Sequence, residues 1–409
     1  MKFRQFCSIV AAAALAAAAL IAAPDPSPAV AAAKAKSVAV AKARTPPAPP
    51  EIIGPIDTQA RSALIMDAGT GAVLLDKNAD QRIPPASMSK VMTAYLVFDY
   101  LKQGRANLAD ELPVSEKAWR TGGSKMFVPL GERIKIADLL RGVIVQSGND
   151  ACVVLAEGLA GSEVAFVEEM NRKAKEIGLT NSNFANVDGL PHPDHWMTAR
   201  DLATLALRTI RDFPEFYKVY AEKEFTFNKI TQGNRNPLLY KDLGADGLKT
   251  GHTEEAGYSL LASVGRGDRR IVLVLGGLPS MKSRAQESER LVEWAFREYN
   301  NYQLFSAGAK IEEAGVWLGE HSKVPLTVAQ DLVVTLPRKS RKDMKVTVVY
   351  DQPAPAPIQK GQPLGKIVVT VPDMEPVEKP LLAASDVERL GPFGRVAMVA
   401  ASVIWGSWN

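Results

Sequence analysis

The hydrophobic pattern of this 409-residue chain changes its period several times, and the order of the changes restricts the fold. Residues 63–80, "ALIMDAGTGAVLLDKNAD", hold two apolar runs around a Gly-Thr-Gly turn, which predicts a β-hairpin. Helical spacing dominates from Met88 to about Arg211, and three apolar runs within 246–277 are typical of an antiparallel meander. A closing helix is predicted over Ser288 to Asn300. Together these elements predict an α/β domain of the α+β type at 53–301, an antiparallel sheet covered by helices with a helical insert.

The sequence pattern changes after residue 302. Short β-branched runs separated by proline and glycine predict a small all-β domain, a β-sandwich, at 302–377. The last stretch, 385–409, is apolar and carries two tryptophans, but its charge-free part is too short to cross a bilayer as a helix. We expect this tail to associate with a membrane surface; the alternative is that it packs on the β domain as core.

The N-terminal residues have the composition of a targeting segment. Lys2 and Arg4 precede an uncharged Ala/Leu/Ile stretch, which predicts a signal peptide at 1–33 and export of the chain. A retained anchor is less favoured because alanine makes the stretch only marginally apolar. Residues 34–52 are mostly Ala, Lys and Pro, and predict a flexible segment. Loss of the leader removes Cys7, so that the mature chain has no intramolecular disulfide.

Composition excludes some classes of function. A chain with 46% hydrophobic and 23% charged residues has an ordinary globular balance and can bury a large core. The formal net charge of +4 is small for this length, which argues against nucleic-acid binding as the main function. The densest basic segment, Pro337 to Lys345, is interpreted as a solvated turn.

The segment "PPASMSKVMTAYL" places Ser87 three residues before Lys90 in an otherwise apolar helical pattern. On a helix the two side chains lie about one turn apart on nearly the same face. An amine beside a hydroxyl in a poorly hydrated setting is a candidate general base for a nucleophile. The alternative is that Ser87 caps the helix and Lys90 extends past its apolar neighbours.

Two further motifs bear on that choice. Ser147-Gly148-Asn149 is predicted to form a turn between two helices, and its alternative role is a helix cap. Lys249-Thr250-Gly251 lies in a predicted strand, where the alternative is an edge strand protected by its lysine. The patterns Ser-x-x-Lys, Ser-x-Asn and Lys-Thr-Gly, in this order, form one set in penicillin-interacting serine enzymes. The chain carries all three.

On these motifs the chain resembles the low-molecular-mass penicillin-binding proteins of the D-alanyl-D-alanine carboxypeptidase family. The resemblance includes "PPASMSKVMTAY", "LLRGVIVQSGNDACVVLAE", "DGLKTGHTEEAGY", "MTARDLATLA", the β domain and the apolar tail, and covers nearly the whole length. It implies a catalytic domain with the penicillin-binding/β-lactamase-like fold. Two departures are mild: Ser89 stands where many relatives have threonine, and the loop "DGLPHPDHWMTARD" has proline and histidine where many relatives have glycine.

The resemblance implies a role for each motif residue. Ser87 is the expected acylated nucleophile, Lys90 the general base, Ser147 a proton relay, and Asn149 the group that holds a substrate amide. The backbone N–H groups of Ser87 and His252 are the expected oxyanion donors.

Binding of substrate is expected from the strand motif. Lys249, Thr250 and Gly251 would contact the substrate, and Lys249 and Thr250 would bind its terminal carboxylate together with Arg200. The resemblance implies stem peptides of peptidoglycan ending in D-Ala-D-Ala as substrates and acylation by β-lactam antibiotics. It also implies a role in cell-wall biogenesis and cell shape, without metal or cofactor, in the periplasm at the outer face of the inner membrane.

Competing hypotheses are weaker. A Ser-His-Asp hydrolase fits poorly because the chain has four histidines and no Gly-x-Ser-x-Gly motif. A zinc peptidase built on His192, Asp194 and His195 is disfavoured because prolines break helical ligand spacing. A β-lactamase would need a carboxylate such as Glu168 or Glu169, which are interpreted as a solvated helix face.

Two further alternatives use the same fold. A transpeptidase is possible on the same motifs, although small monofunctional members of the family mostly transfer the acyl group to water. A non-catalytic binder of peptidoglycan or penicillin would predict a broken motif, and none of the three is broken.

Overall fold

The computed structural model describes residues 56–350, 352–372 and 374–405. The predicted signal peptide at 1–33, the flexible segment at 34–52 and the end of the tail after residue 405 lie outside the described residues.

The first part of the described chain alternates strands and helices. In chain order it contains β1 (Ser62–Asp67), β2 (Val73–Lys77), α1 (Lys90–Lys102), β3 (Glu111–Pro113), α2 (Glu116–Arg120), β4 (Arg133–Lys135), α3 (Ile136–Ile144), α4 (Asn149–Ala160), α5 (Glu163–Glu176), α6 (Ala199–Asp212), α7 (Pro214–Tyr217), β5 (Glu224–Phe227), β6 (Ile230–Gly233), β7 (Ala245–Thr253), β8 (Gly257–Arg266), β9 (Arg269–Leu278) and α8 (Met281–Glu298).

The second part is mostly β. It contains β10 (Tyr299–Phe305), β11 (Glu312–Trp317), β12 (Lys323–Thr327), β13 (Leu332–Pro337), β14 (Lys345–Tyr350), β15 (Ala354–Pro355), β16 (Pro363–Thr370), β17 (Val377–Ala383) and α9 (Pro392–Trp405).

The predicted hairpin and meander form one antiparallel sheet. Its strand order is β2-β1-β9-β8-β7, so the meander joins the hairpin through β9, and β7 is an edge strand. The helices between β2 and β7 are the predicted insert. Short hairpins, β3 with β4 and β5 with β6, interrupt that helical region, which the sequence pattern did not predict.

The side chains of each strand alternate between the two faces of the sheet, which explains why helices cover both faces of the sheet. On β9, Val272 and Val274 belong to the core shared with α1, α3, α4 and α6, whereas Leu273 and Leu275 belong to the core shared with α8. Successive side chains on a strand point to opposite faces, so a strand rich in apolar residues needs a covering layer on each side. The result is a three-layer domain, which confirms the predicted sheet covered by helices.

Helix α8 begins earlier than predicted. The sequence pattern placed its start at Ser288, but the structure starts it at Met281, with the Ser280 hydroxyl accepting a hydrogen bond from the Ser283 N–H at 3.0 Å. Its first two turns are polar, and hydrophobic periodicity therefore carries no signal there. A serine cap supplies the start instead.

The second part forms an all-β domain around a separate core. Its larger sheet has the order β14-β16-β17-β12-β11-β15, and β10 pairs with β13 in a second, two-stranded sheet. Val334 on β13 packs into the same core as Leu326 on β12, so the two sheets share one apolar interior.

The predicted bounds of this domain differ from the structure at both ends. The boundary at 301/302 falls inside β10, and the predicted end at 377 is too early because β17 continues the sheet to Ala383. Isolated bridges then pair Ile358 with Val387 and Gly319 with Arg389. The first residues of the predicted tail at 385–409 therefore belong to the β domain.

A buried polar network joins the two parts. Asp67 on β1 pairs with Arg269 on β9 at 3.0 Å, and it also accepts a hydrogen bond from Asn301 on β10 at 3.3 Å. Thr335 on β13 donates to the Asn301 side chain at 2.9 Å and lies 2.5 Å from the Thr70 hydroxyl. We call this group the junction network.

Helix α9 ends the described chain. Phe393, Val396 and Val399 are exposed on it, with Phe393 92% accessible. Within the described residues, no helix combines the length and apolar character required to traverse a bilayer.

Candidate active site

Ser87 lies in a short 3-10 helix, Ala86–Ser89, that leads directly into α1. Lys90 is the first residue of α1, and its Nζ atom donates a hydrogen bond to the Ser87 Oγ atom at 2.9 Å. Ala86, just before the serine, has φ +48°, a left-handed conformation that costs a non-glycine residue of the order of 1–3 kcal/mol. The tight turn thus presents a half-buried hydroxyl to a buried amine.

Lys90 is almost inaccessible to solvent, with 1% of its reference area exposed. Burial lowers the pKa of this ammonium, and the positive charge of Arg235 acts in the same direction. The negative charge of Asp188 opposes this effect, and the backbone carbonyl of Asp188 accepts a second hydrogen bond from the amine. The contacts orient the amine toward Ser87, and its surroundings favour the neutral form that a general base needs.

The Ser147-Gly148-Asn149 turn joins α3 to α4, as predicted. Gly148 is the residue that precedes α4, and no side chain caps that helix, so the structure does not use Ser147 as a cap. Ser147 has φ +63°, and its buried Oγ atom has no hydrogen-bond partner among the described residues. The Asn149 Nδ2 atom donates to the Gly122 carbonyl at 2.8 Å. An unpartnered buried hydroxyl in a strained loop is expected at a functional site rather than in a core.

The start of α4 faces the buried lysines. Cys152, one turn after Asn149, is close enough for the charges of Lys90 and Lys249 to act on its thiol. Burial nevertheless raises the pKa of the Cys152 thiol to about 12, so the side chain is a neutral, apolar neighbour of both amines at physiological pH.

The Lys249-Thr250-Gly251 motif lies on β7, the edge strand. Lys249 is only 3% accessible, which excludes the alternative that it protects an exposed edge. A Cβ atom on Gly251 would lie 2.8 Å from the Pro85 carbonyl oxygen, so glycine is what lets this strand approach the turn of the nucleophile. The side chain of His252 is exposed and lies against Tyr258, with ring centroids 3.9 Å apart.

Two arginines that the sequence analysis did not select join this site. Burial lowers the pKa of Lys249 well below its usual range, and the charges of Lys90, Arg235 and Arg284 act in the same direction. Arg284 on α8 is buried and donates to the Arg235 backbone carbonyl at 3.3 Å. Lys90, Lys249, Arg235 and Arg284 therefore form a cluster of basic side chains in one cleft, and the two guanidinium charges suit that cleft to an anionic group of a ligand. No spacing rule connects Arg235 and Arg284 to the three motifs.

Arg200, by contrast, is engaged elsewhere. Its guanidinium group donates to Asp80 at 2.7 and 2.9 Å and to Asp76 at 2.6 Å. Among the described residues these carboxylates are its only ion-pair partners. A guanidinium that already binds two carboxylates has no free pair of N–H donors for a substrate carboxylate. The geometry therefore does not support the expectation that Arg200 binds the terminal carboxylate of the substrate.

The proline- and histidine-rich loop lies beside the nucleophile. A Cβ atom on Gly189 would meet the Ala86 carbonyl oxygen at 2.0 Å, which requires glycine at this approach. His195 is buried, neither ring nitrogen has a partner among the described residues, and burial lowers its pKa to about 4. Across the described residues no group of three or more His, Cys, Asp or Glu side chains has an arrangement that could hold a metal ion.

The carboxylates considered for a β-lactamase lie on α5. Glu168 is exposed, and Glu169 accepts a hydrogen bond from the Tyr100 hydroxyl at 2.9 Å. Glu168 therefore has the solvated position that the helical pattern predicted, whereas Glu169 is only partly exposed and bonded to Tyr100.

Comparison with known proteins agrees with this site. Residues 44–279 match the D-alanyl-D-alanine carboxypeptidase family, and residues 299–389 match the C-terminal domain of penicillin-binding protein 5. The chain belongs to the D-alanyl-D-alanine carboxypeptidase family. Its membership confirms the predicted family and makes the protein a hydrolase of the peptidase class.

Similar proteins span most of the chain. D-alanyl-D-alanine carboxypeptidase DacC of Escherichia coli (strain K12) is 41% identical over 85% of this chain and 90% of its own. DacA of Haemophilus influenzae is 40% identical over 84% and 89% of the two chains. The crystal structure of penicillin binding protein 5 from Haemophilus influenzae covers 82% of this chain and 99% of its own, with 40% identity and a TM-score of 0.77. This likeness confirms the predicted penicillin-binding-protein-like fold of this family member.

Proposed function

We propose that this family member is a serine-type D-Ala-D-Ala carboxypeptidase that removes the terminal D-alanine from peptidoglycan stem peptides through an acyl-enzyme at Ser87. The observation that carries the proposal is the 2.9 Å contact between the Lys90 amine and the Ser87 hydroxyl, where burial lowers the pKa of the amine. A serine hydroxyl is a poor nucleophile at neutral pH and needs such a base.

In the acylation step the neutral Lys90 amine takes the proton of the Ser87 hydroxyl as Oγ attacks the carbonyl carbon of the penultimate D-alanine. When the C–N bond breaks, the leaving amine receives a proton from Lys90 through the Ser147 hydroxyl. Water then attacks the ester carbonyl and gives a proton to Lys90, and Lys90 passes a proton to the Ser87 oxygen as the ester C–O bond breaks and the shortened peptide leaves. The Ser147 Oγ atom has no hydrogen-bond partner among the described residues, which supports a relay. Its lone pairs can accept a proton from Lys90 while its own proton passes to the leaving amine.

The oxyanion of each tetrahedral intermediate would be stabilised by the backbone N–H groups of Ser87 and His252. Gly251 supports this pairing, since its lack of a side chain lets β7 approach the turn that holds Ser87. Asn149 would hold the amide of the substrate. A β-lactam would acylate Ser87 in the same way, which agrees with the name of the relative, penicillin-binding protein 5.

The terminal carboxylate of the substrate would bind to Lys249 and Thr250 together with Arg235 and Arg284. These arginines replace Arg200 in the proposal because their charges act on Lys249, whereas Arg200 is paired with two carboxylates. A site that places cations around a free carboxylate favours an exopeptidase over an endopeptidase.

The test is covalent labelling together with release of D-alanine. Ser87→Ala should abolish both labelling by a fluorescent penicillin and release of D-alanine from an acylated D-Ala-D-Ala peptide. Ser89→Ala is the matched control, because its hydroxyl is buried in the same turn but has no partner in the described structure, and it should retain both activities. The same peptide with an amidated C-terminus should be a poor substrate. A penicillin adduct on the Ser87→Ala protein would overturn the assignment.

We also propose that the chain is exported and acts in the periplasm, with its tail on the outer face of the inner membrane. The exposed apolar side chains of α9 support attachment in the plane of the membrane interface. The β domain would then separate the catalytic domain from the membrane.

Truncation after Gly391 tests the tail. The cut preserves the bridges at Val387 and Arg389, so the β domain keeps its last paired residues. We expect the truncated mature protein to leave the membrane fraction while it retains hydrolysis of a small soluble D-Ala-D-Ala peptide. Continued sedimentation with membranes, measured against the full-length mature chain, would show that the tail is not the anchor.

A further inference from the structure

The densest basic segment of the chain, Pro337 to Lys345, is not used by the proposed reaction. In the structure it forms a short 3-10 helix, Arg338–Asp343, and leads into β14. Its nine residues include one acidic side chain, Asp343, and these basic side chains: Arg338, Lys339, Arg341, Lys342 and Lys345. All of these charged side chains are exposed.

The two arginines of this basic segment are held by contacts within the protein. Arg338 donates to the carbonyl of Phe296, near the end of α8, at 3.5 Å. The guanidinium of Arg341 lies 4.6 Å from the centre of the Tyr302 ring on β10. A basic side chain at the last carbonyls of a helix and a guanidinium over an aromatic ring both stabilise a fold. These contacts hold the basic segment against α8 and β10.

The three lysines of the basic segment, by contrast, have no partner. The side chains of Lys339, Lys342 and Lys345 make no ion pair or hydrogen bond within the described part of the chain. Glu298, at the adjacent end of α8, is already paired with Arg297 at 2.8 Å. The surface therefore presents several unpaired positive charges, which attract an anionic partner.

The basic segment lies at the end of the β domain that is remote from the tail. Lys345 pairs with Thr370 at the start of β14, and the neighbouring Val369 pairs with Val377, the first residue of β17. From there β17 extends about 20 Å, at about 3.3 Å per residue, to Ala383, and the chain then continues toward α9. The basic segment is therefore on the catalytic side of the β domain, away from the lipid headgroups that would hold α9.

We propose that the basic segment is a second attachment point for polymeric peptidoglycan, and that its lysines bind carboxylates of stem peptides outside the cleft. The proposal rests on the proposed carboxypeptidase function, which makes this polymer the substrate. Every uncleaved stem ends in a carboxylate, so neighbouring stems supply several anions to the three lysines. A second contact raises the local concentration of stems at the cleft, whereas a single soluble peptide occupies only the cleft.

The experiment measures co-sedimentation of the mature full-length protein with insoluble peptidoglycan, in detergent and with the cleft blocked by penicillin. The triple variant Lys339→Gln, Lys342→Gln, Lys345→Gln should bind about tenfold more weakly than the parent at low salt, because an exposed ion pair contributes at most about fivefold to affinity. High salt should remove most of this difference. Amidation of the carboxylates of the polymer should weaken binding of the parent to the level of the triple variant.

The matched control removes the same number of charges elsewhere on the surface. Its substitutions are at exposed lysines that form no ion pair in the described structure: Lys175→Gln, Lys218→Gln and Lys360→Gln. This control should bind peptidoglycan as the parent does. All three proteins should release D-alanine from a small soluble D-Ala-D-Ala peptide at the same rate, and the triple variant alone should release it more slowly from the polymer.

The outcomes separate this proposal from the proposed function. Equal binding of the parent and the triple variant to peptidoglycan, or an equal loss in the control, would overturn the proposal for the basic segment alone. A loss by the triple variant of binding to phosphatidylglycerol vesicles, with peptidoglycan binding unchanged, would assign the basic segment to lipid headgroups and also overturn it. Failure of the parent to release D-alanine from the soluble peptide would instead overturn the carboxypeptidase function.

Discussion

The cleft and the junction network both bury ionic groups, but they treat them in opposite ways. At the junction, Asp67 and Arg269 face each other at 3.0 Å, and Arg269 also donates to the carbonyls of Ala295 and Tyr299. In the cleft, Lys90 and Lys249 are as deeply buried, and no described carboxylate forms an ion pair with either. The junction pairs opposite charges, whereas the cleft places basic side chains together without a carboxylate partner among the described residues.

This difference separates the groups that hold the fold from those that serve the reaction. A paired, hydrogen-bonded charge loses much if one partner is removed, because the other is left buried and alone. A buried amine without a carboxylate partner destabilises the folded state when it is charged, and burial therefore lowers its pKa. We therefore expect substitutions in the cleft to change rates and substitutions at the junction to change stability.

The largest effect is expected for Lys90→Arg. A guanidinium stays protonated, so it cannot take the proton of Ser87, and penicillin acylation should fall by about 10²–10⁴-fold. Lys102→Arg is the matched control on the same helix, because Lys102 also donates to a backbone carbonyl, and it should acylate normally. Lys90→Met should be equally inactive yet no less stable to urea than the parent. A large loss of stability in Lys90→Met would show that the lysine in the cleft also holds the fold.

The next largest effect is expected for Asp67→Ala, at the junction. Removal of one partner of this buried pair should lower the free energy of unfolding by about 3–5 kcal/mol. Glu378→Ala, which breaks the exposed Lys366–Glu378 pair, should cost at most about 1 kcal/mol. Urea denaturation measures both.

Acylation of folded Asp67→Ala protein should match the parent. Strands β9 and β8 separate β1 from β7, a distance of about 14 Å at ordinary strand spacing. Slow acylation by the folded variant would show that the junction also shapes the cleft.

The smallest effect is expected for Asp188→Asn, which leaves an oxygen to accept the Leu190 N–H. The negative charge of Asp188 raises the pKa of Lys90, so its removal should lower that pKa further. Lys90 is active when neutral, and the acidic limb of kcat/KM should therefore move to lower pH. Asp194→Asn, at an exposed acid in the same loop, should leave the limb in place. A shift to higher pH would contradict the assignment of Lys90 as the base.

Motifs with fixed local spacing could be predicted from the sequence, and groups assembled by the fold could not. Ser87 and Lys90 are one turn apart along the chain, so a pattern reveals them. Arg235 and Arg284 reach the cleft from separate elements, and nothing in the sequence distinguishes them from Arg200, whose two carboxylate partners are equally invisible there.

The sheet pattern shows the same limit. Alternation predicted the hairpin and the meander, but β17 was missed because its proline and charged residues are untypical of a strand inside a sheet. The structure explains why it is tolerated: Pro380 is paired only with Lys366 on β16, and the pairing with β12 begins two residues later, at Leu382.

The direct passage from α8 into β10 has a mechanical consequence. Glu298 ends the helix and Tyr299 starts the strand, so there is no spacer between the domains, and the carbonyl of Tyr299 is itself bound by Arg269. A catalytic domain on a flexible linker samples many distances from its anchor, whereas a catalytic domain that is rigidly connected stays at one distance. If the tail fixes one end of this molecule to a surface, the length of the β domain determines which layer of a surrounding polymer the cleft can reach.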